Sequence, residues 1–385
     1  MIVSSGIIPA PPIYGGAIES HTFVLANALG QEGATVHYVS DLRKGASLQA
    51  NVTGHPVHAP IRKFPVPFPG WVVTHALGGL LSARASLGVT SRLAIDAAHF
   101  HEETSALLYL EMRAKVPVVF TLHNPPPWVG NVSSHAERLA RSMISAVVAE
   151  KVIRKADHFI ALSKPVADGF TSLLGLDEEH VSVVPHPIDT DFFRPDPAHE
   201  RQARETFGLS GPYVLFVGRL DPRKGARNLL LAAARLDPKP TTVIVGDGIE
   251  KRSLIDLSKR LGIRKSTSFL GAVPTQLLPG LFSAADCLVF PSVSEMSPLT
   301  VVEALASGTP VIAFRLPVLS DVIRSGYNGF LLSSDVESLA STIALLTNDH
   351  VLRRRMKENA RASALKNNSP SEVARRLLQI YRNLS

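Results

Sequence analysis

Two carboxylates flank the start of an apolar helical run, Ser294-Glu295-Met296-Ser297-Pro298-Leu299-Thr300-Val301-Val302-Glu303. Ser297 suits an N-cap and Pro298 the first helical position. Gly308 and Pro310 mark the stop. The pattern predicts Glu295 in the loop at the positive end of a helix. It places Glu303 inside the helix, on the face of Leu299 and close to that of Thr300. The free N–H groups of a helix start form an anion site, whereas an acidic residue deeper in suits sugar hydroxyls. Together they point to a phosphorylated sugar nucleotide. The same residues also fit a capped amphipathic helix with two incidental glutamates.

Other groups offer related chemistry. Gly218-Arg219-Leu220-Asp221-Pro222-Arg223-Lys224-Gly225 follows an apolar run and sets cations on a turn. Arg219 and Lys224 there can neutralise phosphate charge that grows as a sugar bond breaks, or the loop is simply basic and solvated, as Arg223 is expected to be. Pro12-Ile13-Tyr14-Gly15-Gly16 precedes a helix; its glycines let a backbone approach a ligand or make a plain turn. Val245-Gly246-Asp247-Gly248 reads as a tight turn or a nucleotide-side loop, without the G-x-G-x-x-G spacing. His123 stands at the end of a predicted strand, where open sheets place ligands, or caps that strand structurally. His99 and His101 share one strand face and suggest metal, but third and fourth ligands at suitable spacing are not evident.

These residues are positioned by alternating strands and helices. Strands are predicted at residues 36–39, 116–120, 159–162, 181–185, 213–217, 241–245, 287–290 and 311–314. A helical stripe runs through Ile18, Thr22, Leu25 and Leu29, and another through Val373, Leu377, Leu378 and Tyr381. Such alternation means doubly wound parallel sheets, an α/β fold. At 385 residues two domains are expected, divided in the polar, proline-containing stretch between Pro185 and Pro197. The single Cys287 excludes an internal disulfide, fits a reducing compartment and reads as a buried apolar residue. No signal peptide or membrane span is expected. The net charge of +7 is scattered and lacks an aromatic-basic ladder, which argues for phosphorylated substrates rather than nucleic acid. Ile61-Arg62-Lys63-Phe64, with Phe68 and Trp71, either touches a membrane surface or packs locally.

The Glu-x7-Glu run resembles the signature of the retaining glycosyltransferases with the GT-B fold, the family 4-like, group 1 enzymes. The resemblance spans nearly the whole chain. It implies two facing Rossmann-like domains, an acceptor-side domain at 1–190 and a nucleotide-sugar domain at 191–368. A helix at 369–385 would return to the first. It implies transfer of a sugar from a nucleotide diphosphate sugar to an acceptor hydroxyl, with retention and without bound metal or other cofactor. It assigns Glu295 and His123 to the donor sugar and Glu303 to the ribose. Arg219, Lys224 and the helix start at Ser297, Pro298, Leu299 and Thr300 are assigned to the diphosphate. It also implies donor contact for Gly15 and Gly16, for Gly246, and for Val273 beside the base. The acceptor is a glycan, a lipid-linked group or a small molecule, and the implied location is cytoplasmic, with peripheral contact at the inner membrane face possible.

Several positions depart from that pattern. Pro298 offers no N–H, and Asn124 replaces the usual aspartate. His186-Pro187 stands for an asparagine-glycine pair, with Asp189 retained. Pro317-Val318 replaces a glycine pair, and Asp321 a glutamate. These keep two alternatives open: a sugar-nucleotide epimerase on the same fold, and a non-catalytic sugar-nucleotide binding protein.

Overall fold

The computed structural model describes residues 1–384 apart from 5–7, 15, 59–69, 113–115, 124–149 and 296–297. The chain divides into two compact units, Met1–Pro187 with Pro370–Ser385, and Ile188–Ser369.

Among the described residues, the first unit carries a seven-stranded sheet of β1 (Ile2–Val3), β2 (Val36–Ser40), β3 (Val52–Pro56), β4 (Ala98–Phe100), β5 (Val118–Leu122), β6 (His158–Ala161) and β7 (Val181–Val183). Its order is β3-β2-β1-β4-β5-β6-β7, and every pairing is parallel. Helices α1 (Ala17–Gln31), α2 (Gly70–Thr90), α3 (Glu103–Glu111) and α4 (Lys164–Leu174) belong to it.

The second unit holds β8 (Val214–Val217), β9 (Thr242–Val245), β10 (Thr267–Gly271), β11 (Cys287–Phe290), β12 (Val311–Phe314) and β13 (Gly329–Leu332). They form a parallel six-stranded sheet of order β10-β9-β8-β11-β12-β13. Its helices are α5 (Pro197–Phe207), α6 (Ala226–Ala233), α7 (Lys251–Arg260), α8 (Leu278–Ala284), α9 (Leu299–Ala306), α10 (Val336–Asn348) and α11 (His350–Asn368).

Central strands are apolar throughout because helices cover both faces of a parallel sheet. All four residues of β9, β11 and β12 are buried. Phe216, Leu229, Ile244, Val289, Ile312 and Phe314 share one core. Cys287 is fully buried within it, and burial pushes its thiol far up.

The last helix, α12 (Pro370–Leu384), is part of the first unit. Val373, Ala374 and Leu377 are buried with Leu25, Leu29 and Tyr38 in that unit's core. Leu378 and Tyr381 pack against its edge. Of the stripe on α1, Thr22, Leu25 and Leu29 are buried and Ile18 is half-buried. No described helix is long and apolar enough to cross a membrane. Ile61, Arg62, Lys63, Phe64 and Phe68 lie outside the described residues.

Candidate active site

The second sheet reverses its strand order between β8 and β11. In open α/β sheets ligands bind beyond the carboxyl ends of the strands at such a reversal. The loop after β8 carries Arg219 and Lys224, and the loop after β11 carries Glu295. These loops meet. Lys224 Nζ donates to Glu295 Oε1 at 2.5 Å, with the two side chains 20% and 9% exposed. Ser292 Oγ lies 2.7 Å from the same oxygen and 3.0 Å from Arg223 O. Val293 N donates to Arg223 O at 2.9 Å.

Gly225 is what permits this approach. Its φ is +71°, and a Cβ there would lie 2.0 Å from Pro291 O. Arg219 is different: its side chain is 69% exposed, and its guanidinium lies 3.2 Å from Asp221. Asp221 also holds Arg223 at 3.3 Å. Arg219 is thus an exposed cation, and Lys224 a largely buried one.

The helix after Glu295 starts one residue later than expected. Pro298 is the N-cap, at φ −81° and ψ 80°, and Leu299 is the first helical residue. An N-cap needs non-helical ψ and a carbonyl for the first helical bond. Pro298 O accepts from Val301 N at 3.0 Å, and proline's missing N–H is no loss there. Leu299 and Thr300 then hold the first-turn N–H groups, which have no acceptor within a helix. Ser297 lies outside the described residues. Ser307 closes the helix, and Gly308 follows at φ +74°. Glu303 is half-buried, and burial raises its carboxyl to about 7.

Gly246 has φ +130°, and a Cβ there would lie 1.8 Å from Gly218 O. It lets the loops after β8 and β9 touch. Val273 is buried in the loop after β10. Pro317–Leu319 is a single 3-10 turn with Val318 buried, whereas Asp321 is exposed. Asp189 accepts from Asp191 N and Phe192 N, a local turn.

The first sheet reverses between β1 and β4. Gly16, at φ +75°, is the N-cap of α1, while Gly15 and Asn124 lie outside the described residues. His123 follows β5, and its Nε2 lies 2.8 Å from Nδ1 of His101. His21 on α1 and His186 after β7 place their Nδ1 atoms 2.6 Å apart. His99 is taken up by structure, with Thr121 Oγ1 at 2.6 Å and the Tyr381 hydroxyl at 2.5 Å.

Burial is the main cause of depressed basicity across this group. His99 falls to about 3 and His186 to about 4, and His21, His101 and His123 lie well below the usual histidine value. Neighbouring imidazoles push His21, His101 and His123 lower still. These rings are therefore neutral near pH 7.

Sequence reasoning brought Lys224 and Glu295 to one place but not their direct pairing. It noted Ser292 only as a structural match to the family pattern and gave Asp221 no role, whereas these two hold the site's charges. A polar side chain just past a buried strand was the available signal. The association of His21 with His186 had no local signal, because they are 165 positions apart.

The profile of "Glycosyltransferase Family 4" matches residues 14–192. That of "Glycosyl transferases group 1" matches residues 199–363. The D-inositol 3-phosphate glycosyltransferase of Nocardia farcinica is 35% identical over 266 residues, covering 66% of this chain and 58% of that protein. The 2-deoxystreptamine glucosyltransferase of Streptomyces kanamyceticus is 29% identical over 241 residues, covering 61% and 62%. The chain thus spans less than two thirds of the length of these curated relatives. The sucrose-phosphate synthase structure from Thermosynechococcus elongatus has the same fold, with a TM-score of 0.81, 22% identity, and coverage of 100% of this chain and 98% of that one. One profile accounts for the first Rossmann-like unit and the other for the second: the chain belongs to the family 4, group 1 glycosyltransferases of the GT-B fold.

Proposed function

We propose that the chain transfers a sugar from a nucleotide diphosphate sugar to an acceptor hydroxyl, with retention of anomeric configuration and without metal in the transfer step. The observation that carries this reading is the Lys224–Glu295 pair at the strand-order reversal, with the start of α9 and Glu303 following in sequence. Lys224 has three donor positions. One meets Glu295, and the others are available to a diphosphate oxygen. Arg219 and the N–H groups of Leu299 and Thr300 add positive potential for the departing diphosphate. These groups supply the charge that a cation would otherwise provide.

In this reading Glu303 accepts from ribose hydroxyls, and Glu295 orients the sugar. Val273 and Gly246 border the nucleotide, and the first unit, with Gly15, Gly16 and His123, serves the sugar and the acceptor. The acceptor oxygen bonds to the anomeric carbon as the bond to the diphosphate breaks. Its proton passes to the departing phosphate oxygen on the same face. The names of the relatives make cyclitols, inositol 3-phosphate and 2-deoxystreptamine, the first acceptors to try.

The test is a thermal-shift titration without metal, using UDP, GDP, ADP, dTDP and their sugar conjugates. One diphosphate is expected to raise Tm selectively. Lys224→Ala should weaken that ligand roughly 10- to 100-fold, the loss of one charge-assisted bond, and abolish transfer. Absence of any shift, or near-normal transfer by Lys224→Ala, sinks the reading. Interconversion of sugar nucleotides without acceptor would identify an epimerase instead.

A further inference from the structure

His21, His123 and His186 each bring one ring nitrogen within 4.8 Å of the other two. All three belong to the first unit. They come from α1, from the end of β5 and from the stretch after β7, so the fold and not local sequence assembles them. We propose that these three imidazoles form a binding site for a divalent transition-metal ion, with zinc as the reference ion.

The chemistry of the donor set supports this. Imidazole suits zinc, copper and nickel, while hard cations prefer oxygen. Three histidines with a fourth position open is an established zinc arrangement. Tetrahedral zinc with bonds of about 2.0–2.1 Å sets its ligand nitrogens about 3.3 Å apart. The trio brackets that spacing: one contact is 2.6 Å, and all the others lie within 4.8 Å.

The two Nδ1 atoms of His21 and His186 face each other. One of the two rings carries its proton on Nδ1 and donates it to the other, and a bound cation would take that proton's place. His21 is 4% exposed and His186 5%, so bulk water has little access to them.

A second observation concerns a neighbour of the trio. His101 holds His123 from one side through its Nδ1 at 2.8 Å. Its own Nε2 is buried and has no partner among the described residues. Outer partners of this kind fix the orientation of a ligating imidazole. An unpartnered ring nitrogen in a buried cluster is costly.

The full chain, stripped with chelator and free of nucleotide, is titrated with zinc by calorimetry and with cobalt by visible absorption. One equivalent is expected to bind in the buried cluster, with the intense spectrum of four-coordinate cobalt. His186→Asn keeps a hydrogen-bonding partner for His21 and should weaken binding about tenfold or more. His21→Gln serves the same purpose if His186→Asn does not fold, judged by circular dichroism. The exposed group Asp177, Glu179 and His180 is the competing location, and His180→Ala is expected to change nothing. No binding by the unaltered chain, unchanged affinity in the folded His186→Asn or His21→Gln variant, or loss of binding in His180→Ala overturns the proposal. Because nucleotide is absent, the result is separate from the fate of the donor-site reading.

Discussion

Glu303 is held by burial in a state that costs stability at alkaline pH. Its carboxyl is raised from 4.5 to about 7. Between those values the folded chain binds a proton that the unfolded chain has released, so stability falls as pH rises through that window. The loss is complete above pH 7, at about 1–3 kcal/mol once partial exposure is discounted. Glu303→Gln should remove this slope and melt higher than the unaltered chain at pH 8, while matching it more closely at pH 5. Melting curves at both pH values check this; equal differences at the two would refute the assignment. If Glu303 accepts from the ribose as proposed, the same substitution replaces one acceptor oxygen with an amide N–H, and nucleotide affinity should fall even as the fold gains. A residue that opposes stability and favours binding is the usual mark of a working position.

At the scale of elements, the site depends on two loops that only glycine lets come together. Gly225→Ala places a Cβ against Pro291 O and a side chain at φ +71°. It is expected to cost about 3 kcal/mol or more, and to weaken diphosphate binding beyond that of a distant variant of equal instability. Denaturant melts paired with diphosphate titration read both effects. The strands that carry these loops were legible because β8 and β11 are unbroken apolar runs. β3 was not, because it is an edge strand with Gly54 and Pro56 within it and only Val52 buried. The start of α9 was legible to within one residue, since proline's backbone serves either of two adjacent positions. Lys224 and Glu295 could be read from local motifs. The pairing between them, and the gathering of His21, His101, His123 and His186, follow from strand order, which local spacing does not encode.

At the scale of the whole molecule, the two units differ in how the chain composes them. The second is one continuous stretch, Ile188–Ser369, whereas the first is completed by Pro370–Ser385. A chain ending at Ser369 should therefore lose stability in residues 1–187 and little in residues 188–369. Val373, Ala374 and Leu377 leave the core, and each large apolar side chain removed costs about 1.5–3 kcal/mol. Limited proteolysis with mapped cut sites distinguishes the units; preferential cutting within 188–369 would contradict the division.

The same discontinuity sets an order of events during synthesis. A ribosome synthesises the second unit's whole sequence before α12. The first unit, although begun first, cannot complete its core until this last helix has emerged, and until then Leu25, Leu29 and Tyr38 lack the helix that covers them. That interval exposes apolar surface on a nascent chain.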